Sequence, residues 1–363
     1  MGKGGVEYSA CERVKYERSS MTCVRGVRER RPGRVRMADV ARQAGVALVT
    51  VSRVFHTPHK VAPTTRARVE RVIRDTGYVP NLVARSLAAS RTRIVAALIP
   101  TIDNSLHTEM VQAMDQRCRA AGLHLLLGCT NFTLDDEEEM VRSLLAHQPE
   151  AIYLTGIIHS PATRAMLGAA AIPVVEAANL PPAPIDMAVG YSNTAGTEAM
   201  IRLLIETGRR RIALVFSPSE SNDRQIDRRA AYEATLEAAG MVVDPKRVAE
   251  ADLSIAGGAA ALRTLLARKA GMDAIFCSSD VLAVGVLLEC QRQGIRVPDQ
   301  VAVAGFDDLP IAAEMVPALT TVGIPRRRIG EEAARLILAR LAGQVPEQRV
   351  VDVGFEIVRR ASA

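Results

Sequence analysis

Apolar and polar positions follow two different rhythms along the chain. Over residues 35–80 the apolar residues recur at helical spacing in three short runs. Met37–Val46 reads as a helix closing at Gly45, and Thr50–Phe55 supplies a second. A third over Thr64–Thr76 carries Ala67, Val69, Val72 and Ile73 and ends at Gly77. From Ile94 onward, nearly continuous apolar runs alternate with amphipathic stretches. The runs predict strands at Ile94–Ile99, Leu123–Cys129, Ala151–Thr155, Pro173–Ala177, Ile212–Phe216, Ala274–Cys277 and Val301–Gly305. Between them, helices are expected at Glu109–Ala121, Glu137–His147, Thr194–Thr207, Arg229–Ala239, Gly257–Lys269 and Val281–Gly294. Strands apolar on both faces, separated by helices, imply parallel sheets covered on both sides. The alternation pauses at Pro181-Pro182-Ala183-Pro184 and restarts, which predicts two similar α/β lobes with a cleft between them. In open α/β sheets a ligand binds at the carboxyl ends of the strands.

Charge sharpens this division. Residues 1–93 hold 20 Lys/Arg against 7 Asp/Glu, a net +13, whereas the other 270 residues carry a net −7. A basic module therefore precedes an acidic body, and a basic module of this kind faces a polyanion. Residues 1–34 show no period and hold nine basic residues. They read as a flexible leader, with Met37 close to an original start. Asn81–Ser90 follows Pro80 as a short helical pattern, marginal as an isolated helix in water, and reads as a segment that orders on contact.

Several function classes fall away on composition. No apolar run reaches the ~18 residues of a membrane span, and the polar N-terminus lacks the apolar stretch of a secretory signal. The expected location is therefore cytoplasmic. Cys11, Cys23, Cys118, Cys129, Cys277 and Cys290 form no C-x-x-C pair, as expected of reduced thiols; Cys129 and Cys277 read as small buried hydrophobes. Ser105 and His107 share a loop but lack a third catalytic partner and a G-x-S-x-G elbow. The six histidines have no metal-ligand spacing, and no phosphate-binding G-x-x-x-x-G-K-[ST] loop is present. No enzyme, metal or cofactor is expected.

The first two helices fit a helix–turn–helix. Ala41 and Ala44 are small where the helices cross, Gly45 turns the chain, and Val46, Val51 and Val54 hold the second helix down. Thr50, Ser52 and Arg53 then face the major groove and phosphates. The longer string is more specific. Asp39–Val46, Thr50–Val54, Val61, Thr65-Arg66, Gly77–Asn81 and Ala84–Leu87 together resemble the headpiece and hinge of the lactose-repressor (LacI/GalR) family. Ser279-Asp280, Leu282–Gly285, Val297-Pro298, Val303–Asp308 and Leu319–Val322 resemble that family's ligand-binding core. The resemblance covers about residues 35–358. Ile172–Glu176, Ile185–Gly190 with Ser192-Asn193, and Glu289–Arg292 look like the gluconate-utilisation repressors within it.

The resemblance implies a three-helix headpiece (35–80), a hinge helix and linker (81–92) and a two-lobed, periplasmic-binding-protein-like core (93–363). The first lobe would span about 93–190 and 323–346, the second about 191–322 and 347–363. It implies a homodimer on a pseudo-palindromic DNA operator; no leucine heptads follow Arg360, which favours a dimer over a tetramer. Leu87 would be the wedge in the minor groove, with Asn81, Ala84 and Arg85 beside it. The chain departs from the family where Thr or Ser usually caps the first two helices: here stand Arg36 and Ala47. A lost cap costs ~0.5–2 kcal/mol, and Arg36 offers a phosphate contact instead. The base-reading positions, Leu48 and Val49, touch thymine methyls but have no donor for a bidentate pair. Readout is expected to lean on Thr50, Arg53 and DNA shape.

For the effector, the resemblance points to Asp103, Asn104, Ser105, Glu176, Arg228, Asp280, Phe306 and Asp307. Carboxylates fork onto sugar hydroxyls and an Arg suits a ligand carboxylate, so the expected effector is a sugar acid, gluconate or a related or phosphorylated one. A neutral sugar, a nucleoside or a corepressor is the alternative. A secreted solute-binding protein shares the lobed architecture but predicts a secretory leader and no headpiece.

Overall fold

The computed structural model describes residues 35–79, 92–103, 105–218 and 221–363. These fall into two compact units, 35–79 and 92–363. The expected leader and the hinge residues Asn81, Ala84, Arg85 and Leu87 lie outside the described residues, as does Asn104.

The first unit is three helices: α1 (Met37–Ala44), α2 (Leu48–His56) and α3 (Pro63–Thr76). Its core is Val40, Ala41, Ala44, Val51, Val54, Val69 and Tyr78. Ala67, expected on the apolar face of the third helix, is exposed instead. Gly45 adopts φ 63° and Gly77 φ 61°, the left-handed geometry that ends a helix most cheaply without a Cβ.

The second unit holds two sheets. The first takes β1 (Ile94–Ile99), β2 (His124–Cys129), β3 (Ala151–Thr155), β4 (Val174–Ala177), β5 (Met187–Gly190) and, returning late in the chain, β11 (Val350–Asp352). Its order is β11-β5-β4-β3-β1-β2, all parallel. The second takes β6 (Ile212–Phe216), β7 (Val248–Glu250), β8 (Ala274–Cys277), β9 (Ala302–Asp307), β10 (Thr320–Gly323) and β12 (Glu356–Val358), in the order β12-β10-β9-β8-β6-β7. Both sheets are parallel as expected, apart from β12, which runs antiparallel at the edge of the second. Burial on both faces explains the uninterrupted apolar runs. In β1, Val95, Ala97 and Ile99 face one cluster of apolar side chains while Ala96 and Leu98 face another.

The helices of the first lobe are α4 (Thr108–Ala120), α5 (Leu134–Leu145) and α6 (Pro161–Ala170). The second lobe has α7 (Asn193–Glu206), α8 (Asp223–Ala238), α9 (Ile255–Ala267), α10 (Asp280–Arg292) and α11 (Pro310–Glu314). The chain then recrosses, and α12 (Arg326–Leu341) packs on α4. The lobe boundary needs one correction. β11 pairs with β5, Val350 opposite Ala188, so residues 350–352, expected in the second lobe, belong to the first. A three-residue strand takes its place from its neighbour rather than from its own pattern. One apolar cluster runs through both lobes, from Val95 and Met114 to Leu214 and Phe276.

Candidate functional site

The headpiece displays its second helix. Ala41 and Ala44 of α1 are buried, with Val51 and Val54 of α2, in the core of the unit. That packing turns Leu48, Val49 and Arg53 outward, with Thr50 and Ser52 half-buried beside them. Leu48 is 52% and Val49 53% exposed, an uncommon state for large apolar side chains at a helix start. As expected, Ala47 supplies no side-chain cap to α2. The first helix has a substitute: Arg36 donates its backbone N–H to Asp39 Oδ2 at 2.9 Å, and Asp39 also pairs with Arg42. The Arg36 side chain is left exposed.

The cleft in the second unit lies between the lobes at the carboxyl ends of their strands. An outer chamber of about 450 Å³ is lined by residues including Thr101, Asp103, Asn131, Asn222 and Asp252. It adjoins an inner, more enclosed space of about 20 Å³, with Phe132, Asn222 and Leu253 common to both. His107 and Met110 line the inner space from the first lobe; Arg224, Arg228, Ser279 and Asp307 line it from the second. Contacts across the cleft hold the lobes together. Asn179 donates through Nδ2 to Asp223 Oδ2 at 2.8 Å and Asp227 Oδ2 at 2.7 Å, and Ser221 donates to the Phe132 carbonyl. Arg326 reaches the Asp307 and Asp308 carbonyls on one side and Glu109 Oε2 at 3.1 Å on the other.

Arg228 is a framework residue as much as a ligand candidate. It is buried and donates to Asn193 Oδ1 at 2.9 Å, Tyr191 Oη at 3.1 Å, Asp307 Oδ1 at 3.3 Å and the Ser278 carbonyl. Its guanidinium stacks 3.5 Å above the Phe306 ring. Phe306 is therefore a buried floor beneath the arginine and is absent from the pocket lining. Asp307 does line the inner space; at φ 118° its carboxylate accepts from both Arg228 and Ser279. Burial pushes the Asp307 carboxyl above its usual range, although Arg228 pulls it back.

Three expected effector residues stand elsewhere. Asp280 is buried under the second sheet, accepting from Leu309 N at 2.8 Å and Thr321 Oγ1 at 2.6 Å. It lines neither chamber. Burial and the nearby Asp307 raise its carboxyl well above the normal range. Glu176 is turned away by strand alternation. Val175 and Ala177 face the shared core, so Glu176 points with Val174 to the other face. There it sits 3.4 Å from His159 Nε2, whose Nδ1 is 2.8 Å from Glu137 Oε1. Ser105 is exposed and lines neither chamber, while Asp103 rims the outer one.

Residues the sequence reading missed complete the site. Helix α8 begins at Asp223, six residues before its expected start, because its first turns carry buried polar residues facing the cleft. That places Arg224 one turn before Arg228 on the same face; the i, i+4 spacing was the available signal. Arg224 donates to Asp223 Oδ1 at 2.9 Å. Among the described residues, His107, only 2% exposed, has no hydrogen-bond partner for Nδ1 or Nε2, and buried Asn222 has none for Oδ1. Burial, with the positive charge of Arg224, pulls the His107 imidazole down to about 3, so it is neutral near pH 7.

Comparison with known proteins follows the same division. Residues 36–81 match the bacterial regulatory proteins of the lacI family, and residues 201–363 match the periplasmic binding protein-like domain. The HTH-type transcriptional regulator GntR of Pseudomonas aeruginosa is 35% identical over 335 residues, 92% of this chain and 97% of that protein. A LacI-family transcriptional regulator from Silicibacter pomeroyi superposes with a TM-score of 0.84 at 29% identity, covering 90% of this chain and 99% of that one. The transcription regulator GntR from Chromobacterium violaceum superposes with a TM-score of 0.71 at 34% identity, covering 74% of this chain and 98% of that one.

Proposed function

Since the chain belongs to the lacI family of bacterial regulatory proteins and is a DNA-binding transcriptional repressor, we propose that a small sugar acid, gluconate or a close relative, controls its grip on the operator. The supporting observation is the pair Arg224 and Arg228, one turn apart on α8 and both lining the inner space of the cleft. Likeness to regulators named GntR supports the same class.

On this reading the protein acts as a homodimer. Two headpieces take the halves of a pseudo-palindrome, and Leu87 with its neighbours Asn81, Ala84 and Arg85 acts at the centre. Arg36, Thr50, Ser52 and Arg53 serve phosphates and groove edges, and Leu48 and Val49 meet bases. The effector changes DNA affinity only by binding one lobe arrangement more tightly than the other; equal binding to both shifts nothing. A polyhydroxy acid between the lobes touches both, so its binding energy depends on how they stand. The alternative, a neutral sugar or nucleoside, or a corepressor, draws on the carboxylates already paired with the arginines.

A gel-shift titration on the protein's own promoter region decides between these. D-Gluconate is expected to release the DNA, with glucose and nucleosides inert. No response to any sugar acid removes this effector class; tighter binding with the acid makes it a corepressor.

A further inference from the structure

We propose that Arg224 and His107, which line the inner space of the cleft from opposite lobes, select a free, unphosphorylated polyhydroxy acid, Arg224 taking its carboxylate and His107 an adjacent hydroxyl. This rests on the cleft being the effector site. Arg228 has committed its guanidinium to Asn193, Ser278, Tyr191 and Asp307. Arg224, by contrast, gives one bond to Asp223. Its seat is cut by Gly156, at φ 103°, where a Cβ would stand 2.9 Å from the guanidinium Nη1. A glycine there leaves room for the planar fork, which suits a carboxylate bidentately.

His107 supplies the second element. Both ring nitrogens are buried without a partner among the described residues, a state that costs free energy unless something fills it. A neutral imidazole offers one donor and one acceptor, and the same hydroxyl can use either. Asn222 Oδ1, buried and unpartnered at the junction of the two chambers, is placed for the next hydroxyl along. The inner space thus takes the acid end, and the rest of the chain runs into the outer chamber.

The outer chamber argues against a phosphorylated acid. Asp103 and Asp252 line it, and its described lining holds no Lys or Arg. A terminal phosphate there would meet two carboxylates with no cation to offset them.

Calorimetric titration of the full-length protein with D-gluconate, 6-phospho-D-gluconate and D-glucitol tests this. Gluconate is expected to bind at least about tenfold more tightly than either of the others. Arg224→Gln should abolish the preference for gluconate over glucitol. His107→Phe should weaken gluconate about tenfold, while His107→Asn, which keeps a donor and an acceptor, retains most of the affinity. Thermal melting checks that each variant folds; a variant that melts early is replaced by Arg224→Lys, expected to keep the charge but lose bidentate affinity. Equal binding of the phosphorylated acid, or an unchanged gluconate preference in the Arg224 variant, overturns the selection proposed here while leaving the sugar-acid reading intact. If the wild-type protein binds none of the acids, both fall.

Discussion

At the residue scale, two side chains carry most of what is unusual about the second helix of the headpiece, which the proposed function turns toward DNA. Leu48 and Val49 have no hydrogen-bonding atom beyond the backbone, yet they occupy the exposed start of α2. A methyl group is the base feature such side chains can recognise, and in the major groove that means thymine. Removing one buried methyl forfeits roughly 0.8 kcal/mol, about fourfold in affinity. Replacing operator thymines one at a time by deoxyuridine should therefore weaken wild-type binding about fourfold at one or two positions per half-site. The Leu48→Ala/Val49→Ala double variant should show no such loss. An equal loss in both proteins means the methyls are read by something else. Arg36, where the family carries a capping residue, costs the first helix less than its identity implies, because Asp39 supplies the reciprocal bond to its backbone.

At the scale of elements, His159 joins three of them. Its ring is wholly buried between Glu137 of α5 and Glu176 of β4, while the residue itself precedes α6. Burial alone would lower the imidazole's proton affinity. Hydrogen bonding and charge from Glu137 and Glu176 outweigh it and hold the group at about 9, above its ordinary 6.5. Because the folded state binds this proton more tightly than the unfolded one, the stabilisation is complete below pH 6.5 and is lost as pH rises through about 9. A shift of this size corresponds to about 3 kcal/mol. Urea unfolding of wild type and His159→Gln should show a stability gap that narrows between pH 6.5 and 9.5. A gap that stays constant with pH shows that the charge is not what binds α5, α6 and β4 together.

At the scale of the whole second unit, polar contacts across the cleft hold the lobes together, those of Asn179, Ser221 and Arg326 among them. Asn179 is the shared donor between the carboxylates of Asp223 and Asp227, and it comes from the opposite lobe. Burial already pushes the Asp227 carboxyl upward, with Asp223 adding to the effect against the lowering from Asn179. Asn179→Ala removes the donor and leaves two carboxylates facing each other. The lobes of the effector-free protein should then separate, seen as an increased radius of gyration in small-angle scattering. An unchanged radius places the closure elsewhere, with Arg326 and its bonds to Glu109, Asp307 and Asp308 the next group to test.

Much of this architecture is legible in the chain itself. The turn at Gly45, the valines behind it and the small alanines set the helix–turn–helix, because spacing along one helix face is a local property. The runs Ile94–Ile99, Ala151–Thr155, Ile212–Phe216 and Ala274–Cys277 are strands over their full predicted lengths, since burial on both faces leaves an uninterrupted apolar signal. The cleft is different. Polar residues buried against one another form much of its walls, so α8 has no apolar stripe over its first turns; Arg224 carries only its i, i+4 relation to Arg228, and His107 carries no periodic mark. Short strands such as β11 acquire their lobe from a partner distant in the chain. Strand register turned Glu176 to the far face, and packing spent Arg228 on its neighbours and Asp280 on the scaffold. Local periodicity determined the elements and their order; only long-range packing decided which charged groups remain for a ligand, because that depends on what each side chain meets across the fold.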